Sequence, residues 1–319
     1  MGGYSSEAEI SLKSGEVVYQ HLNSQIYNPY RVHILKDKWV VVINDGVEYP
    51  INRADFSAII NGQHLVFDCV FNAIHGHPGE NGVILAYFEL LGIKHTSAPF
   101  YQMALTFNKR DTLSIVKASG IKTASSVFLD KGDSIEIEKI IEIVGLPCFV
   151  KPNCGGSSFG ISKVSKKELL VSAIEVAFKE DKEILIESFL DGTEISVGVI
   201  EYENKIKVLP ITEIVSENEF FDYEAKYLGK SDEITPARIS EIQQINAEKV
   251  AEKVYKLLKI RGFSRSEYIF IGEDPYFLEI NTVPGLTAES ILPQQANKAG
   301  ISLENLFGNA IEQALKQQP

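Results

Sequence analysis

Cys148-Phe149-Val150-Lys151 runs straight into Pro152-Asn153-Cys154-Gly155-Gly156-Ser157-Ser158-Phe159-Gly160, and the fold turns on how these thirteen positions are read. A short strand ends on a lysine, and a loop with two adjacent glycines and two adjacent serines follows. Glycine lets backbone N–H groups come close to an anion, serine hydroxyls add donors, and the lysine sets a positive charge on a phosphate. Taken alone, such a loop is equally well an ordinary hairpin connection, so both readings stay open here. Two other phosphate motifs fail. Gly229-Lys230-Ser231 lacks the earlier glycine of a Walker A loop, and no G-x-G-x-x-G follows a strand.

Outward from this loop, strands and helices alternate to both ends, which is the pattern of an α/β chain. Upstream, residues 65–74 read as a buried strand feeding the loop His75-Gly76-His77-Pro78-Gly79-Glu80-Asn81-Gly82. A helix over 83–91 follows, with Ile84, Leu85, Phe88 and Leu91 on one face and Gly92 as its stop. From about residue 98 the pattern predicts a helix over 101–119 ending at Gly120, a strand at 123–128, a helix near 135–144 and strands at 148–151 and 161–164. A third block opens with the strand 184–186 and holds an aperiodic polar and aromatic stretch at 216–232. A helix over 238–259, strands at 267–271 and 276–280 and two closing helices complete it. The blocks are thus 1–97, 98–183 and 184–319. Gly2-Gly3-Tyr4-Ser5-Ser6-Glu7 has the character of a loop after a first parallel strand, yet no strand precedes it, so a truncated chain or a start further upstream is expected.

Bulk composition narrows the function. With 45% hydrophobic and 23% charged residues the chain is globular in type, and its formal net charge of -12 leaves no basic stripe for a nucleic acid. Any phosphate site must be built locally. Cys69, Cys148 and Cys154 are odd in number and outside any C-x-x-C spacing, which fits a reducing compartment. No apolar run approaches the roughly 20 residues of a membrane span, and Met1 leads directly into the glycine loop without a signal peptide. A cytoplasmic protein that binds neither membrane nor nucleic acid is the expectation.

Two signals near the C-terminus support the phosphate reading. Glu279 and Asn281 are two apart on a strand and share a face, and Glu267 on a neighbouring strand can point the same way. Two carboxylates and an amide oxygen suit hard Mg²⁺ ions that bridge nucleotide phosphates. The competing reading, a solvated strand face, is disfavoured by the company of Phe270, Phe277, Leu278 and Ile280. Pro284-Gly285 follows, either a routine turn or a glycine whose N–H faces a substrate oxyanion.

In this order the pieces resemble the ATP-grasp superfamily, and within it the D-alanine–D-alanine ligase family. The matching segments are GGYSSEAEISLKSG at 2–15, HGHPGENG at 75–82, FNKRDT at 107–112, KPNCGGSSFGISKV at 151–164, LIESFLDGTEISV at 185–197, FDYEAKY at 221–227, SRSEYIF at 264–270 and EINTVPGLTAES at 279–290. The resemblance implies a three-domain architecture, an N-terminal parallel-sheet domain followed by two domains that clamp ATP. It implies ligation of two D-alanines through an acyl phosphate, with release of ADP and phosphate, for peptidoglycan precursors of the bacterial cell wall. ATP and two Mg²⁺ ions, for which Mn²⁺ can substitute, would be the cofactors, and a homodimer the assembly.

Carried over by position, Lys109 and Lys151 resemble the phosphate-binding lysines, with Ser158 in the loop. Glu187, Ser188, Phe189 and Leu190 resemble the adenine hinge, and Glu194 the ribose ligand. Phe189 stands where many relatives have tryptophan. Glu267, Glu279 and Asn281 resemble the Mg²⁺ ligands, Glu267 replacing the usual aspartate. Arg265 and the Gly285 N–H resemble the oxyanion-stabilising groups. Glu7 would hold the first D-alanine's ammonium in a triad with Ser157 and Tyr227, Lys226 would reach the γ-phosphate, His75 would line the first-substrate pocket and Ser290 would bind the second carboxylate. FDYEAKY ends in Tyr227, as in enzymes that join two D-alanines and unlike relatives that make the D-alanyl-D-lactate ester, whereas Phe221 replaces a frequent tyrosine. Another acceptor, or a catalytically weak nucleotide-binding protein, are the alternatives.

Overall fold

The computed structural model describes residues 1–43, 46–156, 159–216 and 231–317. It opens with α1 (Ala8–His21), which leads to β1 (Arg31–Ile34), β2 (Trp39–Val42), β3 (Glu48–Asn52), β4 (Ser57–Ile60) and β5 (Gln63–Leu65). These five form one sheet in sequence order, each pair antiparallel. The expected N-terminal parallel sheet is therefore corrected. Two to five residues join successive strands, enough for hairpins and far short of the dozen or so of a parallel crossover.

Among the described residues of this unit, parallel pairing is confined to β6 (Cys69–Val70) beside β7 (Lys94–His95) and to a bridge between Gly2 and Ile34. The bridge is framed by Ile34 N–H donating to Met1 O at 2.9 Å and Gly3 N–H donating to Ile34 O at 2.7 Å. The long strand expected at 65–74 shrinks to β6. Asn72 ends it, because its Oδ1 accepts the Ile74 N–H at 3.1 Å and its amide donates to Ser97 Oγ at 3.0 Å, which turns the chain. Between β6 and β7, α2 (Val83–Leu90) buries Ile84, Leu85 and Phe88, the last 4.8 Å from the Phe56 ring.

The helix expected over 101–119 is two helices, α3 (Phe100–Phe107) and α4 (Lys109–Ala118). Asn108 separates them. Its backbone is extended, it bridges Cys154, and its side chain caps α4 by accepting the Asp111 N–H at 2.9 Å. Residues 123–125 do not start the next strand as expected. Thr123 bridges Phe277, and β8 begins later, at Ser126–Asp130. Then come α5 (Ile137–Val144), β9 (Cys148–Pro152), β10 (Ser162–Val164), α6 (Leu170–Glu180) and β11 (Glu183–Ser188). The four strands form an antiparallel sheet in the order β10-β9-β11-β8. Ile140, Val150, Ile174, Ile184 and Ile186 fill the core between it and its helices. Alternation along β9 buries Cys148, Val150 and Pro152 and turns Phe149 and Lys151 to the other face.

The last unit contains β12 (Thr193–Tyr202), β13 (Lys205–Val208), β14 (Thr212–Ser216), β15 (Ser231–Ile234), α7 (Glu241–Leu257), β16 (Phe263–Ile271), β17 (Asp274–Asn281), α8 (Ile291–Lys298) and α9 (Leu303–Lys316). Its sheet runs β15-β14-β12-β16-β17, with β13 on the free part of β12. Ser240 and Gln243 make a reciprocal cap on α7. β16 and β17 are longer than the sequence predicts, and in β16 the polar Ser264-Arg265-Ser266 after Phe263 interrupt the hydrophobic pattern.

Candidate active site

The glycine-rich loop is fastened at its root by Asn153, which is wholly buried. Its Nδ2 donates to Glu183 Oε2 at 2.8 Å, and its Oδ1 accepts the Arg110 N–H at 2.9 Å. Lys109, the first residue of α4 because Asn108 breaks the helix there, donates from Nζ to Gly155 O at 2.8 Å. It also lies 3.4 Å from Glu279 Oε2. Lys151 Nζ sits 2.9 Å from Glu187 Oε2, on the face of the sheet that β9 turns away from its helices. Burial alone would lower the Lys151 pKa, but Glu187, Glu279 and Glu194 together hold it above the ordinary lysine value, so the ammonium stays charged. Lysines of α4 and β9 thereby share a site with acids of β11, β12 and β17.

The other expected nucleotide residues gather around β11. Ser188 accepts the Ser125 N–H on its Oγ at 3.0 Å. The Phe189 ring lies 6.1 Å from Phe149 with Lys163 Nζ 4.8 Å above it, and Leu190 is half-buried beside them in sequence. Glu194 pairs in register with Ile214 and Ile269 on β12.

Glu267 of β16 stands directly opposite Glu279 of β17, and Arg265 opposite Asn281, so the two acids present one face of the ladder. Arg265 Nη2 lies 3.1 Å from Glu267 Oε1, and Glu267 is 5% exposed. Asn281 Oδ1 accepts the Val283 N–H at 2.9 Å, which keeps one lone pair in use and one spare. Glu233 of β15 faces the same cluster; burial and Glu267 raise its pKa, and Arg265 opposes them. Among the described residues no three His, Cys, Asp or Glu side chains form a metal cluster.

The Glu7 carboxylate lies between two glycines. A methyl added at Gly156 would come within 2.9 Å of Glu7 Oε1, and one at Gly76 within 3.2 Å of Oε2. The segment before Glu7 is tied down by Gly2 N–H to Ser11 Oγ at 2.8 Å and Tyr4 N–H to His77 O at 2.8 Å. His75 is 5% exposed, with Nδ1 at 2.8 Å from Val283 O and Nε2 at 3.2 Å from Ser14 Oγ. Burial lowers its pKa against the pull of Glu7, so the ring is neutral near pH 7. Gly285 packs against Ser290, whose Oγ would be 2.6 Å from an added methyl and which is itself 2.8 Å from Thr287 Oγ1.

Ser157, Ser158, Lys226 and Tyr227, with Phe221, lie outside the described residues. Conversely, the structure brings in a residue that sequence reasoning passed over. Glu80 accepts the Gly76 N–H at 3.0 Å, and burial followed by the nearby Glu7 pushes its pKa up to about 8. It sits inside the quoted HGHPGENG loop, and an acid in so glycine-rich a segment was the available signal.

Two lysine-bearing elements facing a carboxylate ladder, hung on two antiparallel sheets, form a mixed α/β fold of the ATP-grasp ligase class. Comparison with known proteins is specific. Residues 1–98 match the family described as D-ala D-ala ligase N-terminus and residues 115–312 the D-ala D-ala ligase C-terminus. The D-alanine–D-alanine ligase of Flavobacterium johnsoniae is 63% identical over 99% of this chain and 98% of its own length. The crystal structure of D-alanyl-alanine synthetase A from Vibrio cholerae superimposes with a TM-score of 0.88 at 28% identity, covering 99% of this chain and 97% of that one. A Bacillus anthracis D-alanine–D-alanine ligase complexed with ATP reaches 0.77 at 26% identity, covering 99% and 95%. The chain belongs to the D-alanine–D-alanine ligase family, a family of ATP-dependent ligases.

Proposed function

We propose that this ligase couples two D-alanines by phosphorylating the first, and that the residues carried over by position do the work. Glu7 pairs with the ammonium of the first D-alanine, against the glycine loop. One oxygen of that D-alanine's carboxylate attacks the γ-phosphorus of ATP; the new O–P bond forms as the bond to the β-phosphate oxygen breaks, and ADP is released. Lys109 and Lys151 hold the phosphates in line, which is most of what phosphoryl transfer requires. The amine of the second D-alanine, with Ser290 on its carboxylate, then attacks the acyl carbon. Arg265 and the Gly285 N–H receive the tetrahedral oxyanion. Collapse breaks the bond from the acyl carbon to the phosphate oxygen, the departing phosphate takes up the amine's proton, and D-alanyl-D-alanine is left for peptidoglycan precursors.

Two Mg²⁺ ions, or Mn²⁺ in their place, fit the donor set: Glu267, Glu279 and Asn281 offer hard oxygens on one face, and phosphates and water complete such a shell. When bound, the ions neutralise phosphate charge. Glu187, Ser188, Phe189 and Leu190 are read as the adenine hinge, Glu194 as the ribose ligand, and His75 as a wall of the first-substrate pocket. Ser157, Ser158, Lys226 and Tyr227 complete the set, and the preference for an amine acceptor rests on Tyr227.

A three-part organisation accompanies this reading, with boundaries near 97/98 and 183/184; β11 straddles the second boundary and pairs between β9 and β8 in the middle sheet. Exposed Val83 and Leu90 on α2 and Phe100 and Tyr101 on α3 support a homodimer through that surface. No described helix is long and apolar enough to cross a membrane, and a cytoplasmic site of action is our reading.

The observation that carries the mechanism is the meeting of Lys109, Lys151 and the Glu267–Glu279 pair at one site beside Glu7. Hydroxylamine trapping tests it. With ATP, Mg²⁺ and D-alanine, formation of D-alanyl hydroxamate is expected, with one ADP released per hydroxamate. Dipeptide formation with no trappable hydroxamate at any hydroxylamine concentration would overturn the acyl phosphate.

A further inference from the structure

Ser14 is a polar residue with no exposed surface, on the inner face of α1 two turns after Glu7. Its Oγ is 3.2 Å from His75 Nε2 and 3.3 Å from the Leu286 nitrogen. Chemistry fixes the direction of every proton here. Val283 O can only accept, so the neutral imidazole carries its hydrogen on Nδ1 and donates to it at 2.8 Å. Nε2 is then the acceptor, and Ser14 must donate its hydroxyl hydrogen to it. That leaves the Ser14 oxygen free to accept the Leu286 N–H. The relay runs Leu286 N–H to Ser14, Ser14 to His75, and His75 to Val283 O.

Both ends of this relay grip one short turn. Val283 and Leu286 flank Pro284-Gly285, and Asn281 Oδ1 takes the Val283 N–H on the strand side. Among the described residues the Gly285 N–H has no acceptor. A turn bound on both sides of one free donor is the arrangement that holds the donor in a fixed direction.

We propose that Ser14 is a positioning residue: through Leu286 directly and through His75 at Val283, it aims the Gly285 N–H at the oxyanion of the tetrahedral intermediate. The inference rests on the ligase reading above. It also gives the helix that carries Glu7 a second task, so that the part of the chain holding the first substrate's ammonium also orients the donor for its carbonyl oxygen. An apolar side chain would satisfy packing at this position but would leave the Leu286 N–H and His75 Nε2 unpaired in the interior.

The test compares Ser14→Ala, Ser14→Cys and Ser14→Thr with the parent enzyme. It reads kcat, the KM values for ATP and D-alanine, and the affinity of a phosphinate dipeptide that mimics the tetrahedral centre. Losing the aim of one oxyanion donor should lower kcat about 10- to 100-fold. The KM values should stay within about twofold, and phosphinate affinity should fall in parallel with kcat. Ser14→Cys, close in size and weaker in both bonds, should fall between, and serves if the alanine variant does not fold. Ser14→Thr, which keeps the hydroxyl, should recover most of the rate. A folded Ser14→Ala or Ser14→Cys enzyme with kcat and phosphinate affinity unchanged would overturn the proposal, as would a loss confined to KM. Absence of dipeptide from the parent enzyme would instead refute the ligase reading itself.

Discussion

Replacing Lys151 with methionine separates what this side chain does for the fold from what it does for ATP. Lys151 Nζ lies 2.9 Å from Glu187 Oε2, with the two side chains only 17% and 4% exposed. The second Glu187 oxygen, Oε1, is buried without a hydrogen-bond partner. Lys151→Met therefore strands a carboxylate that little else can compensate, at a cost of about 3–5 kcal/mol. Lys151→Met combined with Glu187→Leu removes both charges and should return stability to within about 1 kcal/mol of the parent. Phosphate binding, in contrast, needs the lysine and should stay lost in both variants. Urea unfolding, with ATP titrations on the folded proteins, gives both answers. A single variant that loses less than about 1 kcal/mol, or a double variant that regains ATP affinity, would refute the reasoning.

Glu80 makes a prediction of sign. Burial pushes its pKa from 4.5 up to about 8, so between those values the native state holds a proton that the unfolded chain has released. Its contribution to stability therefore falls as pH rises through that window. Glu80→Gln should gain on the parent progressively from pH 5 to pH 9 in urea midpoints; parallel curves would contradict this. At the substrate end, Gly156→Ala brings a methyl to within 2.9 Å of Glu7 Oε1. It should raise the KM for D-alanine roughly tenfold or more, on the order of 1.4 kcal/mol, with the KM for ATP little changed. Equal effects on both would show that the loop, not Glu7, had moved.

What the sequence yields is set by the range of the interactions involved. Two-residue alternation is local, so the shared face of Glu279 and Asn281 was legible, and the strand register completes the set with Glu267. The hairpins from β1 to β5 were not read from the sequence, and the parallel sheet expected from the resemblance took their place. The break at Asn108 is written in Asn108-Lys109-Arg110-Asp111, a helix cap inside a continuous hydrophobic period. Burial and long-range pairing are not local. Glu80 is an acid in a loop until Glu7 and Gly76 close around it. Ser14 meets Leu286 across 272 positions, and no spacing rule connects them.

The central claim, that this site joins two D-alanines at the expense of ATP, is tested most directly by following phosphate release from MgATP while recording product mass. D-alanine alone, L-alanine alone, and D-alanine with D-lactate are the three substrate conditions. One phosphate is expected per D-alanyl-D-alanine formed, none with L-alanine, and the dipeptide in preference to the depsipeptide when D-lactate is present. ATP binding without phosphate release under all three conditions, or a D-lactate ester as the main product, would contradict it.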